Sequence, residues 1–345
     1  MKECLSYKKI NGGAVQCETC HHYCKISEGR TGICGIRQNL NGKLFLLAYG
    51  KAAAVNIDPV EKKPLFHFLP GSKIFSIGTL GCNFRCANCQ NYDISQIYGF
   101  KGRMKEYDKF DWGHDLSPAE AVKQARAGGC ESIAYTYNEP TVFLEYALDT
   151  MKSAKKAGLK NVWVSNGFMS DKTLDLIMPY LDAINVDMKS FSDEFYQSNC
   201  GARVKPVLDN CRRLVSAGVW TEITTLVIPT LSDSERMLKQ VAKFIKNELG
   251  DFVPWHVSAF SGAISWKLRH LPDTPLSTIK TAYEIGKSEG LKYVYAGNVR
   301  GDDSENTFCP KCRQAIIKRI GYAIERSDKL GSCPYCQEKI AGVFK

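Results

Sequence analysis

The sequence lacks any long apolar segment. None of its 345 residues belongs to a run of about 18 apolar residues, the length that a membrane-spanning helix needs. The first residues, MKECLSYKKINGG, also lack the apolar stretch of a secretory signal. Low-complexity segments and strong internal repeats are missing as well. These absences predict a globular, cytoplasmic protein that has no membrane partner.

Cysteine, by contrast, is abundant, with 15 residues. Thiols in the cytoplasm stay reduced, so clustered cysteines there bind metal more often than they form disulfides. Four stand alone: Cys4, Cys130, Cys200 and Cys211. The others form three groups, which are Cys17, Cys20, Cys24 and Cys34, then Cys82, Cys86 and Cys89, then Cys309, Cys312, Cys333 and Cys336. The three groups predict metal sites.

The central part of the chain alternates short β-rich runs with longer amphipathic stretches, the pattern of strand–helix units around a parallel sheet. Most strands are continuous apolar runs, as buried parallel strands should be. The alternation predicts an α/β fold, a partial or nearly closed (β/α)6 barrel. The predicted strands are Lys73–Leu80, Ser132–Tyr137, Asn161–Val164, Ala183–Asp187, Trp220–Ile228, Trp255–Phe260 and Lys292–Ala296.

Small cysteine-rich modules are expected on both sides of this barrel. Pro59, Pro64, Pro70 and Gly71 mark the first boundary, and the segment 301–304, GDDS, marks the second. The predicted domains are therefore an N-terminal module over 1–70, the barrel over 71–300 and a zinc-ribbon-like module over 301–345.

The central cysteine group follows the first predicted strand directly, where barrel enzymes build their active sites. Three thiolates in the spacing C-x3-C-x2-C can bind three irons of a four-iron cluster and leave the fourth iron open. A cluster that only carries electrons normally has four cysteine ligands, so the triplet of Cys82, Cys86 and Cys89 favours chemistry. The alternative is a zinc site completed by His67 or Cys130.

These residues resemble a known family. The C-x3-C-x2-C motif resembles the signature of the radical SAM superfamily, and Cys89-Gln90-Asn91 resembles its activating-enzyme branch. The segments 76–82 (SIGTLGC), 135–140 (YTYNEP) and 297–299 (GNV) resemble AmmeMemoRadiSam-system radical SAM proteins, relatives of pyruvate formate-lyase activating enzymes. The resemblance covers most of the chain. It implies a four-iron four-sulfur cluster that cleaves S-adenosylmethionine reductively to a 5′-deoxyadenosyl radical, which abstracts hydrogen from an unidentified substrate.

The resemblance also implies cofactor contacts at strand ends. Asn138 and Glu139 occupy the position that contacts the methionyl amino group, and Asp187 with Lys189 resembles the pair at the methionine end of the cofactor. Each has a structural alternative: a helix N-cap for Glu139, and an internal ion pair for Asp187 and Lys189. Weaker candidates are Ser165 and Asn166, which a plain turn also explains, and His256, for which a core histidine is the alternative.

The terminal cysteine groups differ in regularity. Cys309-x2-Cys312 and Cys333-x2-Cys336 form two C-P-x-C knuckles, the spacing of a closed structural zinc ribbon, with rubredoxin-type iron as the main rival. The N-terminal group, C-x2-C-x3-C-x9-C, is less regular. It predicts zinc, a second iron–sulfur cluster or no metal.

Partners follow from the predicted chemistry. S-adenosylmethionine and an electron donor such as ferredoxin or flavodoxin are expected, and a protein substrate is one option by kinship with activating enzymes. The net charge of +10 leaves nucleic acid open, because basic residues gain affinity by releasing phosphate counterions. The competing hypothesis is a nucleic-acid- or protein-binding zinc-ribbon module on an inactive barrel. A pure electron carrier is a third.

Overall fold

The structure is a computed structural model that describes residues 1–97, 111–299 and 303–345. The chain divides into two compact units, each made of segments that are distant in sequence. The first contains Met1–Asp58, Lys73–Asp182 and Cys200–Ala202, and the second contains Pro59–Ser72, Ala183–Asn199 and Arg203–Lys345. This division does not follow the predicted module boundaries. Gly301 and Asp302, part of the second predicted boundary, lie outside the described residues.

The first unit contains twelve strands and four helices among its described residues. Its strands are β1 (Lys2–Glu3), β2 (Tyr7–Lys9), β3 (Val15–Cys17), β4 (Lys25–Ile26), β5 (Arg37–Leu40), β6 (Lys43–Leu46), β7 (Lys51–Ala52), β8 (Ala54–Pro59), β9 (Lys73–Gly78), β10 (His114–Asp115), β11 (Ser132–Tyr135) and β12 (Lys160–Ser165). Its helices are α1 (Tyr92–Ser95), α2 (Pro118–Ala127), α3 (Leu144–Lys156) and α4 (Asp171–Ile177).

The second unit contains the remaining described elements. Its strands are β13 (Ala183–Asp187), β14 (Trp220–Val227), β15 (Trp255–Ala259), β16 (Val294–Gly297), β17 (Thr307–Phe308), β18 (Ala315–Ile320) and β19 (Ala323–Arg326). Its helices are α5 (Asp193–Phe195), α6 (Val204–Ser216), α7 (Glu235–Phe244) and α8 (Leu276–Ser288).

Each unit is built on a mostly parallel sheet. In the first unit, β9 pairs with β11 and β11 with β12, all parallel, and β8 lies beside β9. In the second unit, β13, β14, β15 and β16 pair in that order, again all parallel. All seven predicted strands are present, with ends that differ by up to two residues. No closed ring of strands forms among the described residues, because β8 and β16 each have one strand neighbour.

Serine side chains cap two of the helices. Ser117 caps α2 by accepting a hydrogen bond from the backbone N–H of Glu120 at 3.2 Å, and Pro118 occupies the first helical position. Ser234 caps α7 in the same way through Met237 N–H, at 3.3 Å. None of the helices in the described segments combines the length and apolarity that crossing a bilayer requires. The parallel strands and the capped helices therefore position the strand ends at which the candidate site lies.

A buried ion pair fastens the N-terminal strands to the helical layer of the first unit. Arg37, on β5, donates from both terminal nitrogens to the carboxylate of Glu145, on α3, at 2.6 and 3.2 Å. Arg37 Nε also donates to Val142 O at 3.0 Å, and Glu145 accepts from Leu5 N–H at 2.9 Å. Both side chains are almost fully buried. The N-terminal strands are thus an integral part of this unit.

Candidate active site

The central cysteines lie on the loop that leaves the carboxyl end of β9. Cys82 and Cys86 are buried and Cys89 is half-buried. The backbone N–H of Phe84 donates to Cys82 Sγ at 3.4 Å, and Ser95 Oγ lies 3.2 Å from Cys89 Sγ. The loop begins at Gly81, whose φ of +88° and whose proximity to the backbone of Cys34 exclude a side chain. This loop is the predicted location of the triplet.

Burial makes the free thiol of Cys82 hard to ionise. It raises the pKa of Cys82 well above its usual value, and the neighbouring Glu139 and Cys86 act in the same direction. A thiolate there needs a positive partner, because a buried unpaired charge is costly. Metal ions provide that charge, since ligating cysteines bind as thiolates.

The cysteine groups differ in the distances between their sulfur atoms. A single tetrahedral zinc with Zn–S bonds of about 2.3 Å holds its sulfurs about 3.7 Å apart. Within the described ranges, the C-terminal quartet is the one group of three or more Cys, His, Asp or Glu side chains whose ligand atoms all lie within 4.8 Å of one another. The three sulfurs of the triplet therefore do not all lie within 4.8 Å of one another, unlike those of the C-terminal quartet.

Neither proposed fourth ligand fits a zinc site at the triplet. Cys130 precedes the amino end of β11 and lies near Lys73, which begins β9, so it sits at the opposite end of the parallel strands from Cys82. His67 belongs to the second unit, where both ring nitrogens are engaged: Nδ1 lies 2.7 Å from Ala341 O and Nε2 lies 2.5 Å from Tyr295 Oη.

Two asparagines beside the triplet have buried polar atoms without a protein partner. Asn138 Nδ2 donates to the carbonyls of Thr79 and Gly81, which leaves its Oδ1 buried and unsatisfied. Asn83 Oδ1 accepts from Asn166 Nδ2 at 2.7 Å, which leaves Asn83 Nδ2 unsatisfied. Buried polar atoms are nearly always paired in proteins, so this acceptor and this donor indicate a ligand. Asn83 gave no signal in the sequence beyond its position next to Cys82.

Glu139 is saturated by hydrogen bonds from the protein itself. Its Oε1 accepts from Thr141 N–H, Thr141 Oγ1 and Ser165 Oγ at 3.0, 2.5 and 2.9 Å, and its Oε2 accepts from Asn166 N–H at 2.8 Å. Burial raises its pKa, and these donors oppose that shift. Glu139 caps a short 3₁₀ turn and joins the ends of β11 and β12. Glu139 thus forms the helix cap that was its structural alternative. The unsatisfied acceptor atom belongs to the neighbouring Asn138.

Ser165 and Asn166 both serve this strand-end network. Ser165 donates to Glu139, and Asn166 holds the cysteine loop through Asn83. Asn166 Oδ1 accepts from Phe168 N–H at 3.0 Å, so both polar atoms of its side chain have a protein partner. These contacts place both residues around the loop and leave their predicted contact with the cofactor as a proposal.

The second unit holds the other predicted cofactor residues. Asp187 ends β13, and Lys189 Nζ donates to its Oδ2 at 3.0 Å. This is the ion pair named as the alternative, and it is partly exposed at a strand's carboxyl end. Asn185, on the same strand, donates to Pro64 O at 2.8 Å.

His256 lies near the amino end of β15 and binds a buried carboxylate. Its Nε2 donates to Glu222 Oε2 at 2.7 Å. Glu222 also accepts from the backbone N–H groups of Phe66 and His67 and from Trp220 Nε1, at 3.0, 2.8 and 2.9 Å. These contacts give His256 a structural environment, and none of them supports a contact with the cofactor. Sequence analysis did not identify Glu222, because its partners are distant in sequence.

The C-terminal quartet forms a compact tetrathiol site. Cys309 Sγ lies 3.6 Å from Cys336 Sγ, and Cys312 Sγ lies 3.6 Å from Cys333 Sγ. Burial raises the pKa of Cys333, but the N–H groups of Tyr335 and Cys336 and the neighbouring thiols outweigh it and lower the pKa to about 7. The two knuckles pack with Phe66, Tyr293 and Tyr295 in one apolar cluster. The spacing of the sulfurs matches a tetrahedral zinc.

Comparisons with known proteins match the part of the chain that carries the cysteine loop. The profile of the Radical SAM superfamily matches residues 76–242. An uncharacterized protein, MJ0808, of Methanocaldococcus jannaschii is 38% identical over 343 residues, 99% of both chains. The pyruvate formate-lyase-activating enzyme of Clostridium pasteurianum is 24% identical over 188 residues, 51% of this chain and 72% of its own.

A solved structure supports the fold alone. A radical SAM methyltransferase from Sphaerobacter thermophilus superposes with a TM-score of 0.50 at 14% identity, over 68% of each chain. The near full-length relative, the profile match and the cysteine loop at the end of β9 identify the family. The chain belongs to the radical SAM superfamily.

Proposed function

We propose that the protein is a radical SAM enzyme in which Cys82, Cys86 and Cys89 bind a four-iron four-sulfur cluster. S-adenosylmethionine would bind at the iron that has no cysteine ligand. With both bound, the cluster supplies one electron whose transfer cleaves S-adenosylmethionine to methionine and a 5′-deoxyadenosyl radical. The observation that carries the proposal is the set of three loop thiols, two buried and one half-buried, that do not all lie within 4.8 Å of one another and are flanked by two unsatisfied amides.

The protein's own side chains have three tasks. Asn138 Oδ1 is an acceptor suited to an ammonium group, and Asn83 Nδ2 is a donor suited to a carboxylate or to cluster sulfur. Glu139 fixes the strand ends that position both amides. Lys189 and Asp187, which form an ion pair in the second unit, keep as part of this proposal the methionine-end role that the resemblance implies.

Only the similarity to activating enzymes narrows the substrate class. Activating enzymes are among the similar proteins, so a polypeptide substrate that receives a radical is the first candidate for this chain. A small molecule or a nucleotide remains a rival, because fold and cofactor do not determine the substrate. The electron would come from a ferredoxin- or flavodoxin-class donor, and the C-terminal quartet would bind a structural zinc.

Anaerobic reconstitution tests the proposed chemistry. Protein loaded with iron and sulfide should release 5′-deoxyadenosine from S-adenosylmethionine only when dithionite is added, as measured by liquid chromatography and mass spectrometry. Cys86→Ala should reduce this release at least 100-fold, because the cluster loses one of three ligands. The matched control is Cys130→Ala, which removes a buried thiol from the opposite end of the strands and should retain the activity.

A different result would favour the zinc-ribbon binding module. Colourless protein that contains zinc and no iron after anaerobic purification and reconstitution would contradict the proposal. Equal release of 5′-deoxyadenosine by wild type and Cys86→Ala would contradict the assigned ligands.

A further inference from the structure

We infer that Cys17, Cys20, Cys24 and Cys34 bind a second iron–sulfur cluster, one whose irons are all held by cysteine, beside the proposed catalytic cluster. The inference extends the proposed function, because it assigns a separate redox centre to the N-terminal strands of the same unit. Cys17, Cys20 and Cys34 are buried and Cys24 is half-buried.

Backbone contacts bring the segments of the quartet together. Cys17 N–H donates to Cys24 O at 2.9 Å, where β3 pairs with β4, and Tyr23 N–H donates to Cys20 O at 3.1 Å. A methyl group at Gly32 would lie 3.7 Å from Cys24 Sγ, and Gly32 O accepts from the N–H of Gly35, the residue after Cys34, at 3.0 Å.

A side-chain contact lies beside the first member of the quartet. Cys17 Sγ is 3.4 Å from the hydroxyl oxygen of Thr19, and both groups are buried.

The spread of the four sulfurs favours a cluster over a single ion. Across residues 1–97, 111–299 and 303–345, no three of these sulfurs lie within 4.8 Å of one another, whereas all four ribbon sulfurs do. Both quartets offer the same four thiols, so the difference lies in spacing and not in ligand chemistry. The ribbon has the spacing of zinc, and the N-terminal quartet shares the wider spacing of the catalytic triplet.

The quartet borders the catalytic loop on both sides of Cys82. A methyl group at Gly81 would lie 2.5 Å from Cys34 O, and His22 Nε2 lies 2.8 Å from Asn83 O. Arg85, inside the C-x3-C-x2-C loop, donates to the carbonyl oxygen of Ile33, the residue before Cys34. A cation from the loop thus faces the quartet, which suits an anionic thiolate cluster.

A fully ligated cluster has no open iron, so its role is to transfer electrons. One electron would enter from an external flavin- or iron–sulfur-containing donor protein, and the same electron would leave for the catalytic cluster. No bond forms or breaks in this step. The N-terminal strands would then be the electron entry point of the enzyme.

The test compares two variants by iron, sulfide and zinc analysis and by electron paramagnetic resonance of the reduced protein. The triple variant Cys82→Ala/Cys86→Ala/Cys89→Ala should retain iron and a reducible cluster whose spectrum does not change with S-adenosylmethionine. Cys24→Ser, at the most exposed member of the quartet, should lose that signal and keep the signal that responds to S-adenosylmethionine. The control is Cys130→Ala, an isolated cysteine of the same unit, which should keep both signals.

Each failure has its own signature. An iron-free triple variant beside iron-loaded wild type would overturn the inference while leaving the proposed function intact. A zinc content near two per chain that falls to about one in Cys24→Ser would replace the second cluster by zinc. Iron confined to the quartet, with no response to S-adenosylmethionine in the wild type, would instead overturn the proposed function.

Discussion

Glu139 and Glu222 show how a buried carboxylate is held in each unit. Both are fully buried, and each accepts four hydrogen bonds from donors that belong to different strands and loops. Their energetic importance comes from the donors, since a buried N–H or hydroxyl that loses its acceptor costs about 1–3 kcal/mol. Both carboxylates therefore act through the residues that they position.

Glu139→Gln tests whether this side chain is structural. The amide nitrogen would face donors such as Asn166 N–H and Ser165 Oγ, so we expect the free energy of unfolding of the metal-free protein to fall by about 1–3 kcal/mol. Urea denaturation followed by circular dichroism measures the change. Glu194→Gln, at an exposed position on α5, should stay within about 0.5 kcal/mol of wild type. Unchanged stability with weakened S-adenosylmethionine binding would instead make Glu139 a direct cofactor ligand.

At this scale the sequence predicted positions better than roles. Asn138 and Glu139 are at the carboxyl end of β11, as the strand pattern required, but their contacts depend on Thr79, Gly81 and Asn166, which are far away in the chain. Motif spacing carries no information about which of two adjacent polar residues has a free atom. Only the folded geometry shows that Asn138 has one and Glu139 does not.

At the scale of elements, the attachment of β5 to α3 depends on one ion pair. Neither Arg37 nor Glu145 was marked by a sequence pattern, because 108 positions separate them. The N-terminal cysteine quartet precedes β5 in the chain and belongs to the same unit. Strand periodicity predicted the parallel sheets, whereas it could not predict that an irregular cysteine-rich segment packs in the same unit as the first of them.

Breaking this ion pair on one side should destabilise the first unit strongly. Arg37→Met leaves Glu145 buried without its cation, so we expect the free energy of unfolding to fall by about 3–5 kcal/mol. The double variant Arg37→Met/Glu145→Leu removes the uncompensated charge and should recover most of that loss. Urea denaturation of the three proteins measures both steps. A double variant as unstable as Arg37→Met would show that the cost arises from packing and not from the isolated charge.

At the scale of the whole chain, long-range contacts decide which segments share a unit. The segment Pro59–Ser72 was predicted to be a boundary, yet it packs in the second unit through Phe66 and His67. Arg319, from the ribbon, donates to Phe66 O at 2.9 Å and lies over the Phe66 ring. Proline and glycine signals mark a change of direction in the chain, and they do not say which side of the change a segment packs against.

His67 makes this arrangement sensitive to pH. Its Nδ1–H donates to Ala341 O and its Nε2 accepts from Tyr295 Oη, so the ring is bound as neutral imidazole. Burial lowers the pKa of His67 from 6.5 to about 4, although the facing Glu222 carboxylate opposes the shift and Arg319 and His256 add to it. The unfolded chain therefore binds a proton near pH 6.5 that the folded chain does not bind until near pH 4.

The free energy of unfolding should consequently fall as the pH is lowered from about 6.5 to 4. A shift of one pKa unit is worth about 1.4 kcal/mol, so His67 contributes a loss of about 3 kcal/mol across this window. In His67→Gln the side chain keeps a donor and an acceptor but has no titrating ring. Urea denaturation at several pH values should show a shallower slope for this variant, while other titrations, including proton-driven release of metal from the ribbon, affect both proteins alike. Parallel slopes would mean that the buried ring takes up its proton in the folded state near pH 6.5.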